Sequence, residues 1–159
     1  MMLPVSNPSR QHTRYAGLRL VGVLFASLSG AAATAHACWE EAGLRYGVNP
    51  SVLVAIARTE SSMNPNAVNR NRDGSYDLGL MQINSRWFPM LRRYGISEQQ
   101  LRQPCFSIHV GAWILAQNMQ RFGNSWDAVG AYNSPNPSRR TAYAKKVYRN
   151  LPTLSVAQR

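Results

Sequence analysis

Acidic residues are scarce in this sequence: seven Asp and Glu stand against 18 Lys and Arg in 159 residues, a formal charge of +11. A surface so biased attracts nucleic acid, anionic lipid headgroups or an acidic polymer such as cell-wall glycan with its peptides, and charge alone does not choose among them. Cysteine is scarcer still, at two, and the three histidines are scattered, so no metal-ligand spacing is present and neither a metal nor a cofactor is expected. No internal repeat and no linker-like stretch divides the chain, which at this length makes one domain. The apolar run from Leu20 through Leu28 is broken by Ser27, Ser29, Gly30 and Thr34 before it reaches the roughly 18 to 20 residues of a membrane span. What is plentiful is core material: 45% of residues are hydrophobic, with four Trp, against 16% charged, which excludes a disordered chain.

Arg10, Arg14 and Arg19 precede that apolar run, and small residues then lead to Ala35-His36-Ala37. The pattern is that of a secretory signal peptide over 1–37 with an A-x-A cleavage site before Cys38, so the protein is expected in the periplasm or outside the cell. A membrane anchor is the competing reading. Lipid modification of Cys38 is disfavoured, because Ala35-His36-Ala37 lacks the leucine and the small residue that usually precede a lipidated cysteine. Removing Arg10, Arg14 and Arg19 with the leader lowers the charge from +11 to +8, since all seven acidic residues lie beyond it. In an oxidising compartment Cys38 and Cys105 are expected to form a disulfide tying the mature N-terminus to mid-chain, two buried thiols being the alternative.

Beyond the leader the periodicity is helical, with few strand signals, and the fold class is all-α. Trp39, Ala42, Gly43 and Tyr46 mark a short first helix starting almost at the cysteine and ended by Gly47. Asn49-Pro50 opens a second helix with Leu53, Ile56, Ala57 and Glu60 on one stripe, and Asn64-Pro65 forces an exit. A polar loop over 64–76, turning at Asp73-Gly74, leads to the compact run Gly79-Leu80-Met81-Gln82-Ile83-Asn84. Ser97 to Gln100 forms a capping box, and Ile108, Ala112, Leu115 and Met119 mark a longer helix closed by Gly123. Ser125 caps a helix through Ala131-Tyr132, and Tyr143, Val147 and Leu151 mark the last, with a basic face at Lys145, Lys146 and Arg149. Residues 38–151 form the domain, and 152–159 read as a frayed tail.

Glu60 carries the chemistry. A carboxyl on an apolar stripe loses hydration, and near a helix C-terminus it meets the negative end of the dipole, so both effects favour the protonated form. A neutral carboxylic acid can protonate a glycosidic oxygen as the acetal bond breaks. An ordinary surface ion pair with Arg58 is the competing reading of the same position.

Three blocks carry a family resemblance: Glu60-Ser61-Ser62-Met63-Asn64-Pro65-Asn66-Ala67-Val68-Asn69, then Gly79-Leu80-Met81-Gln82-Ile83-Asn84, then Ala131-Tyr132-Asn133. In order and spacing they resemble the signatures of the soluble lytic transglycosylases, whose fold resembles goose-type lysozyme, over roughly 38–151. The Cys38 and Cys105 pair resembles the small members associated with secretion, pilus and conjugation machines. The resemblance implies that Glu60 is the sole catalytic acid, cleaving peptidoglycan glycan strands between N-acetylmuramic acid and N-acetylglucosamine to leave a 1,6-anhydromuramoyl end. Ser61, Gln82, Asn84, Tyr132 and Asn133 are implied substrate-binding residues, with Tyr132 orienting Glu60 or the acetamido group. Met81 is expected in the core, as are most of Trp87, Phe88, Trp113 and Trp126, though any of these could stack on sugar rings. One departure is Ser134-Pro135, where many members carry a small residue and glycine; proline removes a donor and the freedom of glycine, which bears on the cleft's subsites.

Other classes remain. A hydrolytic lysozyme would use Asp73 or Asp77 to position water, and a non-catalytic glycan-binding assembly subunit would not need Glu60. A nucleic-acid binder rests on charge alone, without an aromatic-plus-basic motif, and export removes it from cytoplasmic nucleic acid; no nucleic-acid partner is expected, nor a stable membrane span after leader removal.

Overall fold

The computed structural model describes residues 30–153 of the chain, with side chains from residue 37 onward. The basic and apolar parts of the expected leader, within 1–29, and the tail over 154–159 lie outside the described residues. The described residues form seven α-helices and a three-stranded antiparallel sheet.

Helix α1 spans Gly30–Tyr46, so it begins upstream of the start expected near Cys38, and the expected cleavage site falls inside it. Alanine at 31–33, 35 and 37 explains the extension, being the best helix former. Gly47 (φ 66°) ends the helix, and the Val48 N–H donates to the Gly43 carbonyl at 3.0 Å. Cys38 is bonded to Cys105, with Cα atoms 5.5 Å apart and a separation of 67 in sequence. Closing such a loop stabilises the fold by about 4 kcal/mol in the chain-entropy account.

Helix α2 (Pro50–Ser61) starts as its sequence dictates, the Asn49 side chain accepting from the Ser51 N–H at 2.8 Å and proline occupying the first turn. Its buried stripe is Leu53, Ala55, Ile56 and Ala57. The helix stops before Asn64-Pro65, because Ser62 (φ 52°) and Met63 (φ 67°) turn left-handed and the Ser62 N–H caps the Arg58 carbonyl.

The segment read as a loop is instead partly sheet. Strands β1 (Val68–Arg70) and β2 (Tyr76–Leu78) pair with Val68 opposite Leu78, and β3 (Ile83–Asn84) pairs with β2. These strands are two or three residues long and β1 is exposed throughout, so no alternating pattern announces them. The turn at Asp73-Gly74 forms as expected, with Gly74 at φ 82° and the Asn71 N–H donating to the Ser75 carbonyl at 2.8 Å.

A 3-10 turn (Ser85–Trp87), α3 (Phe88–Arg93) and the capping-box helix α4 (Glu98–Leu101) lead to α5 (Pro104–Phe122), the central helix, with Ser107, Ile108, Gly111, Ala112 and Leu115 buried. The core is built on it: α1 and α6 (Trp126–Ala131) both pack on α5, and α7 (Pro137–Arg149) packs on α6 and α2. Asn136 caps the start of α7, and Leu151 lies just beyond its end. There Asn150 clips the helix to α2, accepting at its carbonyl from Arg58 and donating to Thr59 Oγ1, at 3.1 and 3.0 Å. Met81 and Phe88 are core residues and Trp113 packs edge-on to Trp87, whereas Trp126 is exposed.

Gly79 (φ 78°) lies so close to the Leu101 carbonyl that a Cβ there would collide with backbone, whereas Gly74 has open space around it. Gly79→Ala should therefore cost about 3 kcal/mol or more and Gly74→Ala only about 1 kcal/mol. Urea melts of the two variants beside the parent measure the difference; equal costs would contradict this packing.

Candidate active site

Glu60 sits in the last turn of α2 and lines a cleft of about 720 Å³. One wall comes from the hairpin and β3 (Asn71, Asp77, Asn84), the other from the connection between α6 and α7 (Tyr132, Asn133, Pro135). The Tyr143 hydroxyl, on α7, donates to Glu60 Oε1 at 2.5 Å across 83 residues of sequence. No ion pair joins Glu60 to Arg58, whose guanidinium goes to the Asn150 carbonyl.

Burial pushes the Glu60 carboxyl from its ordinary 4.5 up to about 7. The Tyr143 hydrogen bond opposes the rise because it favours the carboxylate, the like charge of Asp77 adds to it, and Lys146 opposes it. Burial and the facing Glu60 push the Tyr143 and Tyr132 phenols well above their usual range, so both serve as donors.

Of the other expected site residues Gln82, Asn84, Tyr132 and Asn133 line the cleft and Ser61 does not, and hydrogen bonds give several of them structural work. Ser61, expected on the substrate, donates to the Leu80 carbonyl at 2.7 Å and so fastens α2 to the turn over 79–82. Tyr132, expected to orient Glu60, donates to the Met81 carbonyl at 2.9 Å; Tyr143 makes the bond to Glu60 instead. The Gln82 amide nitrogen donates to the Ala67 and Gly79 carbonyls, at 3.1 and 2.8 Å, leaving its Oε1 as the group for a ligand. Asn84 donates to Asp77 Oδ1 at 2.7 Å and accepts from the Arg86 N–H, which starts the 3-10 turn. Asn133 is exposed on the cleft wall, and no hydrogen bond holds its side chain among the described residues. Ser134 is buried and its hydroxyl accepts from the Asn136 N–H, so Ser134-Pro135 shapes the connection into the cap of α7.

Two contacts of the site were not legible in sequence. Tyr143 is an apolar stripe position, with Val147 one turn on, and with Arg139, Arg140 and Lys145 it partly keeps the resemblance beyond Ser134-Pro135, but nothing local says that its hydroxyl reaches α2. The Asp77 carboxylate is held by two amides, Asn84 at 2.7 Å and Asn71 at 3.0 Å, a network that exists only once the hairpin pairs. Asp73 lies at the cleft edge, bound to Ser75 and, at 2.7 Å, to Arg86. Trp87 also lines the cleft.

The transglycosylase SLT domain pattern matches residues 37–150. Invasion protein IagB of Salmonella typhimurium is 51% identical over 118 residues, covering 71% of this chain and 74% of that protein. Protein IpgF of Shigella flexneri is 46% identical over 117 residues, covering 70% and 77%. Among solved structures, an inactive Glu-to-Gln mutant of the lytic transglycosylase Slt from Pseudomonas aeruginosa superposes with a TM-score of 0.58 at 26% identity. That match covers 72% of this chain but 22% of the Slt chain, so the present chain spans about a fifth of that larger protein.

The opposed influences on Glu60 give paired expectations. Tyr143→Phe removes a bond that favours the carboxylate and should raise the Glu60 pKa above about 7, while Asp77→Asn removes a like charge and should lower it. Carbon-13 titration of the Glu60 carboxyl reads both shifts, and movement in the same direction in both variants would contradict the arrangement.

Proposed function

The chain belongs to the transglycosylase SLT domain family and is a lytic transglycosylase, and we propose that Glu60 alone carries its acid and base steps on peptidoglycan. The observation that carries the reading is a carboxyl in a cleft, held through Oε1 by Tyr143 and protonated up to about pH 7. With Oε1 accepting from Tyr143, the carboxyl proton resides on Oε2, the oxygen left to donate. That proton goes to the oxygen linking N-acetylmuramic acid to N-acetylglucosamine as the bond breaks. The sugar's own 2-acetamido carbonyl stabilises the developing oxocarbenium, in the substrate-assisted manner of some glycosidases. Tyr143 now steadies the Glu60 carboxylate, which takes the proton of the muramoyl 6-hydroxyl; the oxygen closes on C1, giving a 1,6-anhydro end with no water consumed. Gln82 Oε1, the Asn133 amide and the rim of the cleft supply hydrogen bonds for hydroxyl and acetamido groups. The inactive Glu-to-Gln form of Pseudomonas aeruginosa Slt supports a glutamate in this role.

Residues 1–37 serve in this reading as an export signal and 38–151 as the catalytic domain, and the family match starting at residue 37 supports that boundary. The protein then acts in the periplasm or outside the cell. No helix among the described residues is long and apolar enough to cross a membrane. The IagB relative is named an invasion protein, which supports local opening of the wall for a secretion, pilus or conjugation apparatus.

One observation favours a hydrolytic variant: Asp77 is a second carboxylate in the cleft, facing Glu60, where it could orient water. Asp73 is less suited, because its charge is offset by the Arg86 ion pair, whereas Asp77 is held by neutral amides. Mass spectrometry of the released fragments separates the two, since hydrolysed ends are one water heavier than anhydro ends.

Anhydromuramoyl release from purified peptidoglycan is expected, with activity falling above about pH 7 as Glu60 loses its proton. Glu60→Gln should reduce it by about a hundredfold to ten-thousandfold. The Glu60 carboxyl is protonated more readily folded than unfolded, so it costs no stability below about pH 4.5; the cost builds up to about pH 7 and is constant beyond. Glu60→Gln should therefore match the parent near pH 4 and exceed it by about 3 kcal/mol at pH 8, as read by denaturant melts. A destabilised variant that still cleaves would overturn the assignment.

A further inference from the structure

Away from the cleft, Trp126 and Tyr148 stand 42% and 62% exposed, packed edge to face with ring centroids 5.3 Å apart. They line an open groove of about 480 Å³ between α6 and α7, together with Thr141, Lys145, Arg149 and Asp127. On α7 the stripe is 141, 145, 148 and 149, at the spacing of one helix face, while Tyr143 and Val147 on the other face are buried. Arg139, at the start of α7, lines the catalytic cleft and Arg149, at its end, lines this groove. The two linings have no residue in common, and although Thr141 of the groove follows Arg139 by two residues, the groove's cations Lys145 and Arg149 lie about 9 and 15 Å further along the helix axis than Arg139.

Its chemistry is specific. Exposed aromatic rings offer faces that the C–H side of a sugar ring covers, and Trp and Tyr add polar edges for hydroxyls. Lys145 and Arg149 are the groove's uncompensated charges, because its one carboxylate, on Asp127, pairs with Arg140 Nε at 2.9 Å. The combination fits a polymer carrying both sugar rings and carboxylates. An anionic membrane would also attract cations and aromatics, but interfacial anchors project outward, whereas these rings line a hollow.

We propose that the groove between α6 and α7 is a second peptidoglycan-binding surface, with a sugar ring against Trp126 and Tyr148 and stem-peptide carboxylates on Lys145 and Arg149. It rests on peptidoglycan as the substrate and deepens that reading: the protein holds the wall at one place and cuts at another.

The test uses the full chain carrying Glu60→Gln, so that the wall stays intact, and measures co-sedimentation with peptidoglycan sacculi. Trp126→Ala with Tyr148→Ala should weaken binding about tenfold. Lys145→Glu with Arg149→Glu, at exposed positions where folding is not at stake, should weaken it similarly and flatten its salt dependence. With Glu60 restored, both variants should cleave a short, peptide-free glycan at the parent's rate. Sacculus binding within twofold of the parent in both variants would overturn the proposal, as would an equal loss on the short glycan. Loss of binding to phosphatidylglycerol vesicles with sacculus binding kept would assign the groove to a membrane and overturn it too. If the parent cleaves no glycan yet the variants lose sacculus binding, the catalytic reading fails while the groove stands.

Discussion

Three hydroxyl groups from three parts of the chain hold the backbone of the turn over 79–82. Ser61 at the end of α2 donates to the Leu80 carbonyl, Tyr132 just past α6 donates to the Met81 carbonyl, and Ser107 on α5 accepts from the Met81 N–H at 3.0 Å. The turn is buried, with Leu80 and Met81 at 4% and 0% exposure, and it is irregular, so helix or sheet partners cannot satisfy its peptide groups. Each hydroxyl removed would strand a buried peptide group at a cost of about 1 to 3 kcal/mol. Because the same bonds fix α2 against the second wall of the cleft, this turn sets where Glu60 ends up. Gly111 on α5 takes part by absence: a side chain there would strike Met81.

Glu60 is placed at a cost. Desolvation that keeps its proton near neutral pH destabilises the folded chain above the unfolded pKa, and Tyr143 limits how far that goes. Backbone strain concentrates in the same region: among the described residues the non-glycine positions with positive φ are Ser62, Met63 and Gln82, all beside the cleft. Such conformations cost about 1 to 3 kcal/mol each and persist where surrounding contacts over-determine them. Here the bond from Ser61 to the Leu80 carbonyl, those from the Gln82 amide to the Ala67 and Gly79 carbonyls, and the Asn150 clip on α2 supply those contacts.

Helix α7 serves both surfaces. Its buried side brings Tyr143 to Glu60, while its outer side carries Lys145, Tyr148 and Arg149. An excess of positive charge favours an acidic polymer, and the basic residues of α7 put part of that excess on the helix whose Tyr143 bonds Glu60, the proposed catalytic acid.

Local sequence determined the starts of α2, α4 and α6 and the end of α5, because Asn49-Pro50, Ser97 to Gln100, Ser125 and Gly123 act on neighbours within one turn, whereas the upstream start of α1 and the short α3 were not read from it. It also singled out Glu60, whose stripe position and three flanking blocks needed no tertiary contact to be read. The short strands escaped it, since pairing across Val68 and Leu78 is a property of two segments and not of either one. So did the division of labour in the site: Ser61 and Asn84 are polar residues in the right blocks, yet their hydrogen bonds are spent on Leu80 and on Asp77 with the Arg86 amide. The stripe position gave the direction of the Glu60 pKa shift, but its size and the tie to Tyr143 were decided by tertiary structure, because desolvation depends on what packs around a carboxyl and the partner comes from 83 residues away.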